Sequence, residues 1–234
     1  MLNVIKTKFK NITNGVSVLY NEAKYVYKLD KTSLNRRNNN LVVEHYNDLK
    51  KVGAFVVVQA IPIIGWFPII FAMIYPKQIL TKHFWSNEEY DTFIKEDHKD
   101  RQQYGQNLNK YITNNNINIE KIQISTLPYE HSKLLAGANQ IFTNQIFQKL
   151  APNIACQTFL TTRAKEIRKD DELLNSEGIN DLTLRELQIA NSRRGLDPTK
   201  DHDTLKSQLQ AWLRGLKNIE GKNDSILLHS SATR

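Results

Sequence analysis

The 234-residue sequence contains a single cysteine, Cys156. One thiol closes no intramolecular disulfide and builds no zinc site of several thiolates, so a disulfide-stapled secreted domain is excluded and a reducing compartment is the default. Nine glycines and six prolines are too few for a collagen-like, linker-like or proline-rich disordered chain. Glycine-rich phosphate loops, His-x-x-x-His pairs, serine elbows and calcium loops closed by Glu are absent, and the six histidines are scattered. Asp197, Asp201 and Asp203 lie close together but lack the mid-loop glycine and terminal Glu of a calcium site, so they read as a solvated turn. Cys156 has no histidine beside it in a nucleophile motif and reads as a small buried residue. The residues imply no catalytic group, no metal, no cofactor and no small-molecule substrate, and an enzyme is not expected.

What the chain has is a positive excess, 32 Lys+Arg against 24 Asp+Glu for a net charge of +8, and 40% hydrophobic residues, enough for one core. The excess is uneven. Residues 1–51 hold 10 basic and 4 acidic residues, residues 52–75 hold no charge, and residues 76–234 hold 22 and 20. The uncharged run from Val52 to Tyr75 would span roughly 36 Å as a helix, enough for a ~30 Å hydrocarbon layer, and only Gln59 in it is strongly polar. A buried helix of a small domain is usually shorter and rarely apolar on every face, so a single membrane crossing is favoured; Pro62 and Pro68 leave a re-entrant hairpin as the alternative. Tyr75, Lys77 and Trp85, with Lys82, His83 and Phe84, mix aromatic and basic groups as a membrane boundary does. The three parts are a basic arm (1–51), a transmembrane segment (52–75) and a helical domain (76–234). Lys6, Lys8 and Lys10 make a passable organelle leader, and the basic residues flanking the run do not set its orientation.

Beyond the run, Ser86 followed by Glu89 is a capping box, and Tyr90, Phe93, Ile94, Tyr104, Leu108 and Tyr111 recur at helical spacing. A second stripe of Leu134, Leu135, Ala138, Ile141, Phe142, Ile146 and Leu150 runs to Pro152, and a further helix is expected from about Ile154 to Leu174. Thr183 with Glu186 caps another helix, lined by Leu184, Leu187 and Ala190 and stopped by Gly195. A turn then leads to a helix with Leu205, Leu209, Trp212, Leu213 and Leu216 inward, completing a helix pair with Arg193 and Arg194 at its turn. No alternating strand pattern or Asn-Gly hairpin follows the run, so the fold class is mainly α: a membrane helix followed by a helical bundle ending in a SAP-like helix pair.

The order of apolar run, Tyr75 to Trp85 with its His83-Phe84-Trp85 element, the stretch from Asp170 to Leu187, Arg193 to Gly195, and Leu209 to Leu213 resembles the Letm family of mitochondrial membrane proteins, and most closely its shorter Letm domain-containing branch. The resemblance covers roughly residues 20–230. It implies a single-pass protein of the mitochondrial inner membrane whose helical domain faces the matrix and associates with mitochondrial ribosomes. The absence of a calcium loop and long coiled coil departs from the ion-exchanger branch.

The first functional expectation is therefore a membrane-tethered module docking on ribosomal RNA or protein through basic side chains, because phosphate contacts supply most sequence-independent affinity for RNA. The candidate contacts are Arg163, Lys165, Arg168 and Lys169 in one helix and Arg185, Arg193, Arg194 and Lys206 in the terminal pair. Each also fits an ordinary solvated helix face, since Asp170, Asp171 and Glu172 follow at once. The SAP-like pair offers nucleic-acid binding as an alternative. Cation/proton transport is another; the run carries no ionisable residue, so a homo-oligomer would have to supply the pathway. A role in organising the membrane is not separable from ribosome docking by sequence.

Overall fold

The computed structural model describes residues 2–59, 75–141, 150–216 and 223–232. The chain is mainly helical, with no strand among the described residues. It divides into two compact units, Met1–Phe93 and Ile94–Arg234. The helices are α1 (Leu2–Lys28), α2 (Arg36–Gln59), a one-turn α3 (Pro76–Ile79), α4 (Asn87–Asn114), α5 (Tyr129–Ala138), α6 (Asn153–Glu177), α7 (Leu184–Arg193), α8 (His202–Leu216) and α9 (Asp224–Ala232).

In the first unit the basic arm forms a helical hairpin, α1 against α2. Its turn is made by short polar side chains: Asp30 accepts from the amide and hydroxyl of Thr32 at 2.9 and 2.7 Å, and Asn35 caps α2 by accepting from the Asn38 amide at 2.9 Å. Tyr25 donates to Asn38 across the hairpin at 3.2 Å, and Lys31 donates to Tyr46 at 2.9 Å. A 3-10 turn, Lys82–Phe84, packs on this hairpin. A side chain at Gly15 would collide with the Phe84 ring and the His83 carbonyl, so the close approach requires glycine. His83 lies 3.2 Å from both Glu22 of α1 and Asp48 of α2, and Lys82 pairs with Glu44. Burial opposes a charge on His83, but Asp48 and Glu22 outweigh it and raise its pKa to about 9.

The apolar run lies only partly inside the described residues. Val52 to Gln59 are helical as the end of α2, while residues 60–74 lie outside the described residues. Among the described residues no helix is long and apolar enough to cross a membrane.

In the second unit, Leu108 of α4, Leu135, Ala136 and Ala138 of α5, Leu160, Ala164 and Ile167 of α6, and Leu227, Leu228 and Ala232 of α9 form one buried cluster. Each fully buried leucine contributes about 1.5–3 kcal/mol. Leu174 of α6, Ile179, Leu187 and Ala190 of α7, and Leu205 and Leu209 of α8 form a second. The expected helix starts hold: Ser86 and Glu89 exchange cap hydrogen bonds at 2.9 and 3.1 Å, and α6 begins right after Pro152 and ends at Gly178, whose φ is +84°. The stripe from Leu134 to Leu150 does not form one helix, because α5 ends at Ala138 and Gln140 takes a left-handed φ of +51°. Phe142 and Ile146 of that stripe lie outside the described residues. The last helix, α9, was not expected, and Ser225, Leu227, Leu228, His229, Ser231 and Ala232 are all buried in it.

Candidate functional site

The terminal helix pair forms as its sequence signals dictate. Thr183 and Glu186 complete a capping box, with the Thr183 amide donating to Glu186 at 2.8 Å and the Glu186 amide to the Thr183 hydroxyl at 3.3 Å. Gly195 takes φ +75° after α7, and Asn191 binds the pair together by donating to the carbonyls of Leu187 and Leu205 at 2.8 and 3.0 Å. Asp197 and Asp201 serve the intervening turn, accepting from Thr199 and Thr204 through amide and hydroxyl at 2.7–3.0 Å.

This pair is tied to α6 by a buried charge cluster. Arg194 has no exposed side-chain surface; it donates to Asp171 at 2.8 Å, to Asp170 at 2.6 Å and to the Ala190 carbonyl at 2.8 Å. Trp212 Nε1–H also donates to Asp171 at 3.2 Å. Burial alone would lower the guanidinium, but Asp171 and Asp170 raise it; burial pushes the Asp171 carboxyl up against the pull of Arg194 and Trp212. Arg194 was expected at the surface as an RNA contact. The structure makes it a core cation instead, because two acidic residues that looked like solvated helix-end charges turn inward to meet it.

The other expected contacts stay at or near the surface. Lys165 and Lys169 are exposed and one turn apart on α6, with Lys169 3.6 Å from Glu172. Arg163 and Arg168 are part-buried, pairing with Glu166 at 3.3 Å and with Asp224 at the start of α9 at 2.6 Å. Arg185 is half-buried with Gln188 at 3.4 Å, and Arg193 and Lys206 are half-buried at the end of α7 and the start of α8. Four of these eight residues, Arg163, Lys165, Arg168 and Lys169, thus share one two-turn segment of α6.

Of the expected membrane-boundary residues, Tyr75 is exposed, Trp85 donates to the Pro76 carbonyl at 3.2 Å and meets Phe93 edge-on at 4.9 Å, and the Lys77 ammonium lies 5.9 Å from the Phe93 ring centre. Cys156 is fully buried, and burial raises its thiol pKa. No group of three His, Cys, Asp or Glu side chains suited to a metal ion occurs among the described residues.

Sequence reasoning missed two buried polar features. His131 of α5 and His229 of α9 meet at 2.8 Å through their Nε2 atoms. His229 Nδ1 lies 2.6 Å from the Ser225 carbonyl, which can only accept; the proton is therefore on Nδ1, and His131 Nε2–H donates to His229 Nε2. The other is Arg101 of α4, 5% exposed, whose guanidinium donates to the Ser192 carbonyl and to Gln140 at 3.1 Å. Both pairings link residues roughly 90 or more positions apart, and no local pattern announces them.

Residues 34–148 and 140–233 match the family described as LETM1-like, RBD, a ribosome-binding domain. No solved structure matches the chain.

Proposed function

The chain belongs to the LETM1-like ribosome-binding-domain family, and from that premise we propose that it is a single-pass protein of the mitochondrial inner membrane whose helical domain docks on mitochondrial ribosomes from the matrix side. Residues 52–75 are the membrane segment, and Tyr75, Lys77 and Trp85 sit at its boundary, where amphipathic rings and a snorkelling ammonium suit the headgroup layer. Arg163, Lys165, Arg168, Lys169, Arg185, Arg193 and Lys206 supply the contacts, and Arg194 holds α6 and α7 in the register that presents them.

The observation that carries this reading is the family match running across nearly the whole chain, residues 34–233. Physical support comes from the segment Arg163–Lys169 of α6, where four cations within two turns face outward or half outward. Lys165 and Lys169, exposed one turn apart on the outer side of α6, suit the phosphates of folded RNA, which proteins grip largely through charge and shape. The domain needs no chemistry of its own for this role; it needs a rigid scaffold.

Detergent-solubilised mitochondria separated on a gradient test the proposal. The protein should move with the large subunit or intact ribosome, and reversing Lys165 and Lys169 to Glu should shift it to lighter fractions. A ribosome-independent position for the unaltered chain would turn the reading toward transport or membrane organisation. Carbonate extraction should leave the chain in the membrane pellet, and deletion of residues 52–75 should release it; release of the intact chain would remove the membrane span.

A further inference from the structure

Only one uncharged run in the sequence, Val52 to Tyr75, is long enough to cross a membrane as a helix. The described residues on its two sides belong to the same compact unit, Met1–Phe93. Before the run stands the hairpin of α1 and α2. After it, the chain returns to that hairpin and docks on it at three neighbouring residues. The Lys82 ammonium pairs with Glu44 of α2. The His83 imidazole lies 3.2 Å from both Asp48 of α2 and Glu22 of α1, with only 6% of its side chain exposed. Phe84 presses on Gly15 of α1 so closely that a Cβ there would strike its ring. The returning segment is also closed on itself, because the Leu80 amide and the Trp85 indole N–H both donate to the Pro76 carbonyl, at 2.9 and 3.2 Å. Tyr75 adjoins Pro76, so the end of the run is held near the residues that touch the hairpin.

These contacts bear directly on the two courses that the sequence leaves open to the run. A single crossing puts Glu44 and Asp48 on one side of a ~30 Å hydrocarbon layer and Lys82 and His83 on the other. Fully extended lysine and glutamate side chains can pair only when their backbones are within roughly 12 Å. If α2 continued straight through the run, Tyr75 would stand about 46 Å from Glu44. The path from Tyr75 to Lys82 would then have to recover about 34 Å, whereas one turn of α3 and four extended steps cover about 19 Å. The docking is not a loose surface contact either: His83 is enclosed by carboxylates from two helices, and the approach of Phe84 requires glycine at position 15.

Charge and length agree. Arg36, Arg37, Lys50 and Lys51 precede the run and Lys77 and Lys82 follow it, so both flanks are basic. Lys and Arg concentrate on the side that is not translocated, and two flanks lying on that side have no reason to differ. The run is too short to cross twice, since two crossings need ~60 Å and it supplies roughly 36 Å as helix.

We propose that the arm and the helical domain lie on the same face of the membrane, and that residues 52–75 enter and leave the bilayer through that face. Lys82, His83 and Phe84 are the clasp that holds the two flanks together there. Helix α4 leads out of the first unit, and no second run of membrane length follows it, so the domain shares the face of the clasp. The basic arm, with 10 Lys and Arg against 4 Asp and Glu, then stands on the side of the proposed ribosomal partner. The inference rests on the membrane-bound, matrix-facing domain of the proposed function and departs from it in one respect, the single crossing.

The test uses the full chain in mitoplasts, whose inner membrane is sealed and whose outer face is open to reagents. Single cysteines are placed at exposed positions, Asn21→Cys and Asn47→Cys in the arm and Ser207→Cys in the domain, in a Cys156→Ala background. Each variant meets a membrane-impermeant polyethylene-glycol maleimide, with and without detergent, and labelling is read as a gel shift. All three cysteines should be protected while the membrane is sealed and labelled once detergent opens it. Labelling of both arm cysteines in sealed mitoplasts, with Ser207→Cys protected, overturns the inference, restores a single crossing and leaves matrix-side docking standing. Labelling of all three in sealed mitoplasts keeps arm and domain on one face and overturns matrix-side docking instead. Release of the unaltered chain by carbonate overturns both. The clasp itself is read in native membranes by treating Glu44→Cys/Lys82→Cys with a short bis-maleimide and identifying linked peptides by mass spectrometry. A link within one chain is the expected result; two cysteines that are each modified but never linked overturn the clasp.

Discussion

Replacing Arg194 by Leu should destabilise the second unit while leaving its surface charge unchanged. Asp170 is 1% exposed and Asp171 4%, and the guanidinium between them is completely buried. Removing one partner of such a cluster strands charge in a medium that solvates it poorly, at a cost of about 3–5 kcal/mol. Against a domain stability of roughly 5–15 kcal/mol, that loss is large enough to unfold the unit at body temperature if its stability is at the low end. The measurement is urea unfolding of the full chain in nanodiscs, followed by far-ultraviolet circular dichroism. Relative to the unaltered protein, the deficit of the Leu variant should shrink as pH falls from 7 to 5: the buried carboxyls that have lost the guanidinium hold protons in the folded state that the unfolded state has released, so their contribution to stability rises toward acid. Changing Asp170, Asp171 and Arg194 together to Leu should recover most of the loss, short of about 1 kcal/mol for the Trp212 N–H left without its acceptor. A loss below ~1 kcal/mol for Arg194→Leu, or a fully stable variant that no longer binds ribosomes, would refute the structural role and restore Arg194 as a contact.

The two units should respond to pH in opposite directions. His131 is lowered from 6.5 to about 4, mainly by burial, and His229 is lowered too; the unfolded chain therefore binds the extra protons, and stability of the second unit should fall by ~3 kcal/mol as pH drops from 6.5 toward 4. His83 is raised to about 9, so its contribution to the first unit is complete below pH 6.5 and should be lost as pH rises through 9; His83→Gln should flatten that alkaline loss in hydrogen-exchange protection of α1 and α2. Gly195→Ala should cost at least ~2 kcal/mol in urea unfolding, since φ is +75° and the added carbon would strike the Ser231 carbonyl. Cys156, buried and with its thiol raised, should resist iodoacetamide in the native protein and react on unfolding; rapid native alkylation would contradict its place in the core.

Much of the helical region beyond the apolar run was legible because its signals are local. The Ser86–Glu89 and Thr183–Glu186 boxes, Pro152 and Gly195 act within four residues, and the helices start and stop where these residues require. Helix α9 escaped notice because it is buried on most of its surface, and a short helix buried all round has no polar face to reveal its period. The break at Gln140 escaped for a different reason: the apolar spacing continues through it, and a tertiary contact with Arg101 and Asp97 fixes its backbone. Arg194 was misplaced because sequence shows three acidic residues after α6's basic run as a solvated end, whereas two of them turn inward. Arg101 was invisible as a candidate; a single arginine in a polar helix gives no sign that its partner is a carbonyl 91 residues away.

The most direct test of ribosome docking is gradient sedimentation of solubilised mitochondria, run with and without magnesium depletion to split the ribosome, while following this chain. The account predicts that the protein travels with the intact ribosome, follows the large subunit after splitting, and is released by rising salt in proportion to its phosphate contacts. A light position in both gradients, unaffected by splitting or salt, would contradict it.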